Sequence, residues 1–265
     1  MLSKNKIKFI NSLKKKKYRT EKGLFIAEGT RLVQDLLGEG VRAELLCATS
    51  PWLEKNPPES GAKIKEQIEV TEQELGKISE LKTPAEVLGV FAISGGISKD
   101  EDLSGKLSLV LDRINDPGNL GTIVRLADWF GIENIICSPD TVDLYNPKTV
   151  QATMGSIARV KVSYRELANF LENWSHHPDF DIYGCFLEGE NLYTSPLQDK
   201  GMIVMGSEAQ GISENLRPYI NRQLYIPAFN QAGATKAESL NVSMATGIVC
   251  SEFRRRQWVS GDHSK

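Results

Sequence analysis

From Leu107 onward, short apolar runs alternate with helix-forming stretches, and this alternation restricts the fold more than any other feature of the chain. Leu107–Leu111, Asn134–Cys137, Val160–Val162, Ile182–Leu187, Met202–Met205 and Gln223–Ile226 read as strands. Between them, a helix capped by Asn119 runs to Phe130 and is stopped by Gly131. A second starts at Asn146–Pro147 and reaches about Ala158, and a third spans Arg165 to Trp174. Apolar strands separated by helices predict an α/β domain with a parallel sheet. A last helix, capped by Ser239, passes through Asn241, Met244, Ile248 and Phe253 to Arg254, Arg255 and Arg256, whose charge suits a helix C-terminus. In open sheets of this kind, ligands bind beyond the carboxyl ends of the strands, where backbone N–H groups and helix starts collect.

The stretch from Ser94 to Lys106 concentrates Gly, Ser and charge between two apolar runs and reads as a linker. It divides the 265 residues into 1–98 and 99–265, each able to bury a core. In the first part, residues 3–16 place Ile7, Ile10 and Leu13 among lysines, a basic amphipathic helix. Leu24–Ala27, Leu45–Ala48, Gln67–Val70 and Val87–Ile93 are strand-like, and Arg31–Leu37 is helical. Thr71 with Glu74 forms a capping-box pattern opening a helix to Ile78. This small α/β unit has no catalytic cluster and suits docking better than chemistry.

A net charge of −2 rules out a uniformly basic nucleic-acid binder but hides an uneven distribution. Lys4, Lys6, Lys8, Lys14, Lys15, Lys16, Lys17, Arg19 and Lys22 face the single acid Glu21 in the first 22 residues. Such a cluster can neutralise phosphates locally; a merely solvated terminus is the competing reading. Cys47, Cys137, Cys185 and Cys250 are scattered and, with His176, His177 and His263, give no metal-ligand spacing. Cys137 and Cys185 lie in apolar runs, as structural thiols do in a reducing compartment. The N-terminus lacks an apolar signal core and no run reaches membrane-spanning length, so the expectation is a cytoplasmic protein without membrane or metal.

No GxxxxGK[ST] loop, no GxGxxG after a strand and no GxSxG elbow occurs. Three other segments stand at strand ends: Asn119 to Arg125 in NDPGNLGTIVR, Met205 to Ile212 in MGSEAQGI, and Ser239 to Ser243 in SLNVS. Singly, each has a plain structural reading. Asn119 and Ser239 are helix caps, Arg125 is a surface residue, and Gly206 and Gly211 make a turn carrying the solvated acid Glu208. Alkyl transfer from a sulfonium donor is a reaction that such a sparse set can support, because the donor is already activated and alignment is most of the work.

In this order and spacing, the three segments resemble the SpoU (TrmH-type) group of RNA 2′-O-ribose methyltransferases of the knotted SPOUT superfamily, over Leu107 to Arg256. The first part is similar, less specifically, to the ribosomal-protein-like α/β RNA-binding module that often precedes it, through LKKKKYRTEKGLFIAEGTRLV. The resemblance implies S-adenosylmethionine as cofactor and a ribose 2′-hydroxyl of structured RNA as acceptor, ribosomal RNA first and transfer RNA as the alternative. It implies that Arg125 faces the ribose and its phosphate, helped by Asn119. A guanidinium hardly ever deprotonates, so stabilising a developing alkoxide suits Arg125 better than acting as a base. Met205, Gly206 and Gly211 would present backbone to the cofactor, and Glu208 would order the pocket. Ile226, Pro227 and Leu240 would take the adenine end, while Ser239 and Asn241 line the reaction site. The resemblance also implies a trefoil knot, with the chain after Ile226 passing through an earlier loop, and a homodimer built on the knot and the C-terminal helix. The lysine-rich first helix, Arg31 and Arg254 to Arg256 would hold RNA phosphates. One departure is the long AFNQAGATKA stretch between Pro227 and Glu238, with Gly233 as a bend; it supports the competing reading of a non-catalytic RNA-binding protein. A base-modifying enzyme fits less well, since SLNVS belongs to the ribose-directed group.

Overall fold

The computed structural model describes residues 1–57, 61–93, 103–229 and 239–259. Most of the linker at 94–106, the loop at 230–238 with Gly233 and Glu238, and His263 lie outside the described residues. The chain divides into two units, Met1–Gly95 with Asp143–Arg159, and Gly96–Val142 with Val160–Lys265.

The first unit opens with α1 (Lys4–Ser12) and α2 (Lys16–Lys22), where a single basic helix was expected. The break has a local cause. Leu13 is fully buried, and the carbonyls of Leu13 and Lys14, which a continuing helix would use, accept hydrogen bonds from Arg19 Nη1 at 2.9 Å each. There follow β1 (Leu24–Glu28), α3 (Thr30–Gly38), β2 (Ala43–Ala48), α4 (Ser50–Lys55), β3 (Gln67–Glu69), α5 (Glu72–Gly76) and β4 (Val87–Ala92). The capping box of Thr71 and Glu74 is present at α5. The strands form a mixed sheet in the order β1-β4-β2-β3, antiparallel except for β2 with β3. Ile10, Leu13, Ile26, Leu45, Leu75, Ile78 and Val90 build its core.

A later helix, Pro147–Thr153, packs in this unit, against β1. Its approach is held by Asp143, whose Oδ2 accepts from Arg19 Nε at 3.1 Å and Nη2 at 2.5 Å. Arg19 is only 3% exposed. The ring of Tyr145 lies 4.9 Å from that of Phe25. The helix stops at Thr153, short of the expected Ala158, because Met154 adopts a left-handed conformation and a 3-10 turn follows.

The second unit contains β5 (Leu107–Leu111), α6 (Pro117–Trp129) and β6 (Asn134–Cys137). The helix just placed in the first unit is α7. Then come β7 (Lys161–Tyr164), α8 (Leu167–Ser175), β8 (Ile182–Asn191), β9 (Gly201–Met205), β10 (Arg222–Tyr225) and α9 (Val242–Val259). The six strands run in the order β10-β8-β9-β5-β6-β7, and every neighbouring pair is parallel. β5 and β9 are buried along their whole length, which explains why they read as largely apolar runs. From β5 the chain progresses outward through β6 to β7, while β9 lies on the other side of β5 and leads toward β8 and β10. The boundary between β5 and β9 is therefore the topological switch point, where such sheets bind ligands.

At its C-terminal end α6 is closed by Gly131, left-handed at φ 62°. Arg254 Nε and Nη2 donate to the carbonyls of Phe130 and Gly131 at 2.7 and 3.0 Å. Arg255 and Arg256 both bind the buried carboxylate of Glu252. The hydrogen bond from Arg255 is the main cause that holds Glu252 below the usual carboxylate range. These three arginines, expected to hold phosphates, thus also make bonds inside the fold, and Arg255 stays exposed.

Burial pushes the thiols of Cys47, Cys185 and Cys250 up to about 12 and raises Cys137 as well. All four are free. Native protein at pH 8 is therefore expected to give almost no reaction with a disulfide reagent such as Ellman's, and all four thiols should react once guanidinium is added. The unfolded chain sheds thiol protons near its ordinary 9.0, whereas the folded chain keeps them. Their contribution to stability is thus complete below pH 9 and declines as pH rises from 9 toward 12. Rapid native reactivity at one cysteine would show that residue to be accessible.

Candidate active site

Asp116–Pro117 starts α6, with proline at the first helical position and Asp116 Oδ1 accepting from Asn119 N at 2.8 Å. Asp116 is the cap, not Asn119 as expected; the pair Asp-Pro was the overlooked signal. This frees the Asn119 side chain. Its Nδ2 donates to Glu208 Oε1 at 3.1 Å, and its Oδ1 accepts from Asn241 Nδ2 at 2.9 Å. Asn241 Nδ2 also reaches Glu208 Oε1 at 2.5 Å, and Val242 N donates to the same oxygen at 3.0 Å. One residue from each of the three motifs thus meets in a single hydrogen-bonded node beyond the switch point.

Asn241 has a second task. Its Oδ1 accepts from Ser243 N at 3.0 Å and Met244 N at 3.3 Å, so Asn241 caps α9. The expectation of Ser239 as the cap is corrected: α9 starts at Val242, which places Asn241 at the capping position, and Ser239 is an exposed residue two positions before it. The side-chain amide of Asn241 is divided between the helix and the node, which locks its orientation.

Met205 ends β9, buried, and its carbonyl accepts from Asp112 N at 2.9 Å. The loop beyond is closed on itself, with Gly211 N donating to Ser207 O at 2.8 Å and Ser207 N to Gly211 O at 3.2 Å. A side chain at Gly206 would collide with the backbone of Gly211 and Ile212, so the loop itself already requires this glycine. Ile226 and Pro227 are half-buried just after β10, at the sheet edge two strands from β9, and Leu240 is 48% exposed next to Asn241. No hydrogen bond joins these three, or Ser239, to the node among the described residues. Arg125 is exposed on α6, and among the described residues it has no hydrogen-bond or ion-pair partner. Among the described residues no group of three or more His, Cys, Asp or Glu could hold a metal, and no helix is long and apolar enough to cross a membrane.

Residues 106–251 match the SpoU rRNA Methylase family. The chain belongs to the SpoU rRNA methylase family. Residues 4–89 of this SpoU-family chain also match an MRM3-like substrate binding domain. A TrmH-family protein from Porphyromonas gingivalis is 37% identical and superposes with a TM-score of 0.84 over 97% of this chain and 99% of its own. An AdoMet-bound rRNA methyltransferase from Sinorhizobium meliloti is 32% identical, with a TM-score of 0.84 over 97% and 96% of the two chains. The 23S rRNA (guanosine(2553)-2′-O)-methyltransferase RlmP of Bacillus subtilis is 27% identical over 94% of this chain and 96% of its own.

The residues present fit S-adenosylmethionine. Glu208 is exposed; its Oε1 takes three donors while Oε2 has no hydrogen-bond partner among the described residues, leaving an anionic oxygen for a sulfonium or a hydroxyl. Leu240, next to Asn241 in sequence, is exposed and offers apolar surface.

Proposed function

We propose that this chain methylates a ribose 2′-hydroxyl of structured RNA, with S-adenosylmethionine as donor and ribosomal RNA as substrate. The observation that carries the reading is the node of Asn119, Glu208 and Asn241, which joins three motifs at the boundary of β5 and β9. S-adenosylmethionine supplies a methyl group already activated on a sulfonium. The protein then has to align a hydroxyl with it and offset the charge that develops on oxygen. Glu208, held by Asn119, Asn241 and Val242 N, orders the incoming ribose, with Ser239 beside it. Arg125, a cation without a partner among the described residues, takes the adjacent phosphate and the developing alkoxide. Its fork of donors matches both. The backbone at Met205, Gly206 and Gly211, and then Ile226, Pro227 and Leu240, contacts the cofactor.

The finer expectations stand on the same footing. Ribosomal RNA is favoured over transfer RNA by the name of RlmP and of the Sinorhizobium protein. Residues 1–98 act as a ribosomal-protein-like RNA-docking domain and 99–265 as the methyltransferase domain with its trefoil knot. Lys4, Lys8, Lys15, Lys16, Lys17, Lys22 and Arg31 are exposed and available to phosphates, whereas Lys6 and Lys14 are engaged by Glu66 and Glu80. A second copy of the chain would cover Trp129 on α6 and Met244 and Trp258 on α9, which are 83%, 63% and 72% exposed. The protein works in the cytoplasm, where its four free thiols stay reduced.

Calorimetry with S-adenosylmethionine, with and without RNA, tests the cofactor; mapping of 2′-O-methyl sites in ribosomal and transfer RNA, with and without the gene, tests the acceptor. Binding together with one lost ribosomal site is expected. Failure to bind the cofactor even with RNA present would make this a non-catalytic RNA-binding member of its family.

A further inference from the structure

We propose that Arg113 is a positioning residue that holds the Gly206–Gly211 loop in the shape that receives S-adenosylmethionine. This rests on the reading that the loop contacts the cofactor. Arg113 belongs to none of the three motifs. It follows Asp112 directly beyond β5 and adopts a left-handed backbone conformation, φ 57°, which a non-glycine residue rarely takes. Its amide is anchored toward β6 by Ser138 Oγ at 2.9 Å.

From that turn the guanidinium reaches the loop. Nη1 donates to Gln210 Oε1 at 2.6 Å, and Nη2 lies 3.5 Å from the carbonyl of Gly211. That carbonyl is the one that accepts from Ser207 N and closes the loop. Nε is buried and 3.4 Å from Asp112 Oδ1, without a hydrogen bond of its own. Asp112, itself 3% exposed, grips the loop's far end: its Oδ2 accepts from Ser213 N at 2.8 Å and from Ser213 Oγ at 2.6 Å. The Asp112–Arg113 pair therefore holds the loop at Gln210, Gly211 and Ser213, while Glu208 in its middle is held by the node. Arg113 has no bond to Asn119, Glu208 or Asn241, so it acts on the reaction only through the loop. Three nitrogens diverging to three groups require a planar fork, which lysine lacks.

The test is steady-state kinetics at saturating RNA, joined to hydrogen exchange of residues 206–213. Arg113→Ala should raise the KM for S-adenosylmethionine by about 10- to 100-fold, the range for losing hydrogen bonds made by a charged group. It should change kcat at saturating cofactor by less than about threefold, since uniform binding is what it removes. Arg113→Lys should restore the KM only in part. Should Arg113→Ala fail to fold, Gln210→Ala removes the Nη1 acceptor alone and should raise KM in the same direction by a smaller factor. In the wild-type protein the cofactor should protect the amides of 206–213, and less so in Arg113→Ala. Unchanged KM in both variants, or a fall in kcat with KM intact, overturns the proposal. Equal cofactor protection in wild type and Arg113→Ala overturns it for Arg113 alone. No protection in the wild type removes the reading of the loop as a cofactor contact, and the proposal with it.

Discussion

Arg125→Ala should lower methyl transfer by about 100- to 1000-fold at saturating substrates, the loss typical of removing one preorganised donor to a developing oxyanion. The fold should hardly notice. Arg125 is exposed and has no partner among the described residues, so its removal orphans no buried group, and surface changes of this kind stay within about 0.5 kcal/mol. S-adenosylmethionine affinity, measured by calorimetry, should remain near that of the wild type, because neither the node nor the loop beyond β9 touches Arg125. Arg125→Lys should recover only a fraction of the turnover: it keeps the charge but loses the two-pronged geometry toward phosphate and alkoxide. A guanidinium that stays protonated also predicts that the pH–rate profile keeps its shape in the lysine variant, which a general base would alter. Near-normal turnover in Arg125→Ala would take this residue out of the mechanism.

The second large effect concerns the first unit's stability. Arg19→Met should cost about 3–5 kcal/mol, the usual result of leaving one partner of a buried pair uncompensated. Arg19 is 3% exposed and satisfies Asp143 Oδ2 together with the carbonyls of Leu13 and Lys14, so three acceptors lose their donor at once. At about 4 °C per kcal/mol for a unit of this size, the melting temperature of the first unit should fall by roughly 12–20 °C. Adding Asp143→Leu to Arg19→Met should recover much of the loss, since the stranded charge is then gone; the coupling between the two changes is the decisive quantity. Additive effects of the two substitutions would mean that the pair does not stabilise the unit through its contact.

Much of the fold was legible in the residues themselves. Leu107–Leu111 and Asn134–Cys137 are strands at the expected boundaries, because a strand buried on both faces is mostly apolar, here with Ser108 and Asn134 as its buried polar members. The capping box at Thr71 was legible because both of its partners lie within four residues. Where expectation and structure part, the cause is a competing contact. The basic helix breaks at Leu13 because Arg19 takes its carbonyls, and the arginines at the end of α9 also bond Glu252, Phe130 and Gly131. Within the site, Asn119, Glu208 and Asn241 stood out as motif residues, but the grip of Asp112 and Arg113 on the loop carried no signal, since nothing in LDRI separates a functional arginine from a solvated one.

The chain's local chemistry, then, determined the strand and helix alternation, the parallel sheet and the three motifs, because apolar periodicity, turn residues and caps act over a few positions. Only the tertiary structure decided which motif side chains meet. Asn119 and Glu208 are 89 residues apart and Asn119 and Asn241 are 122 apart, and they become neighbours because β5 and β9 pair and α9 packs on α6. It also decided that Asp143–Arg159 joins the first unit, where Asp143, 124 residues away in sequence, meets the buried guanidinium of Arg19.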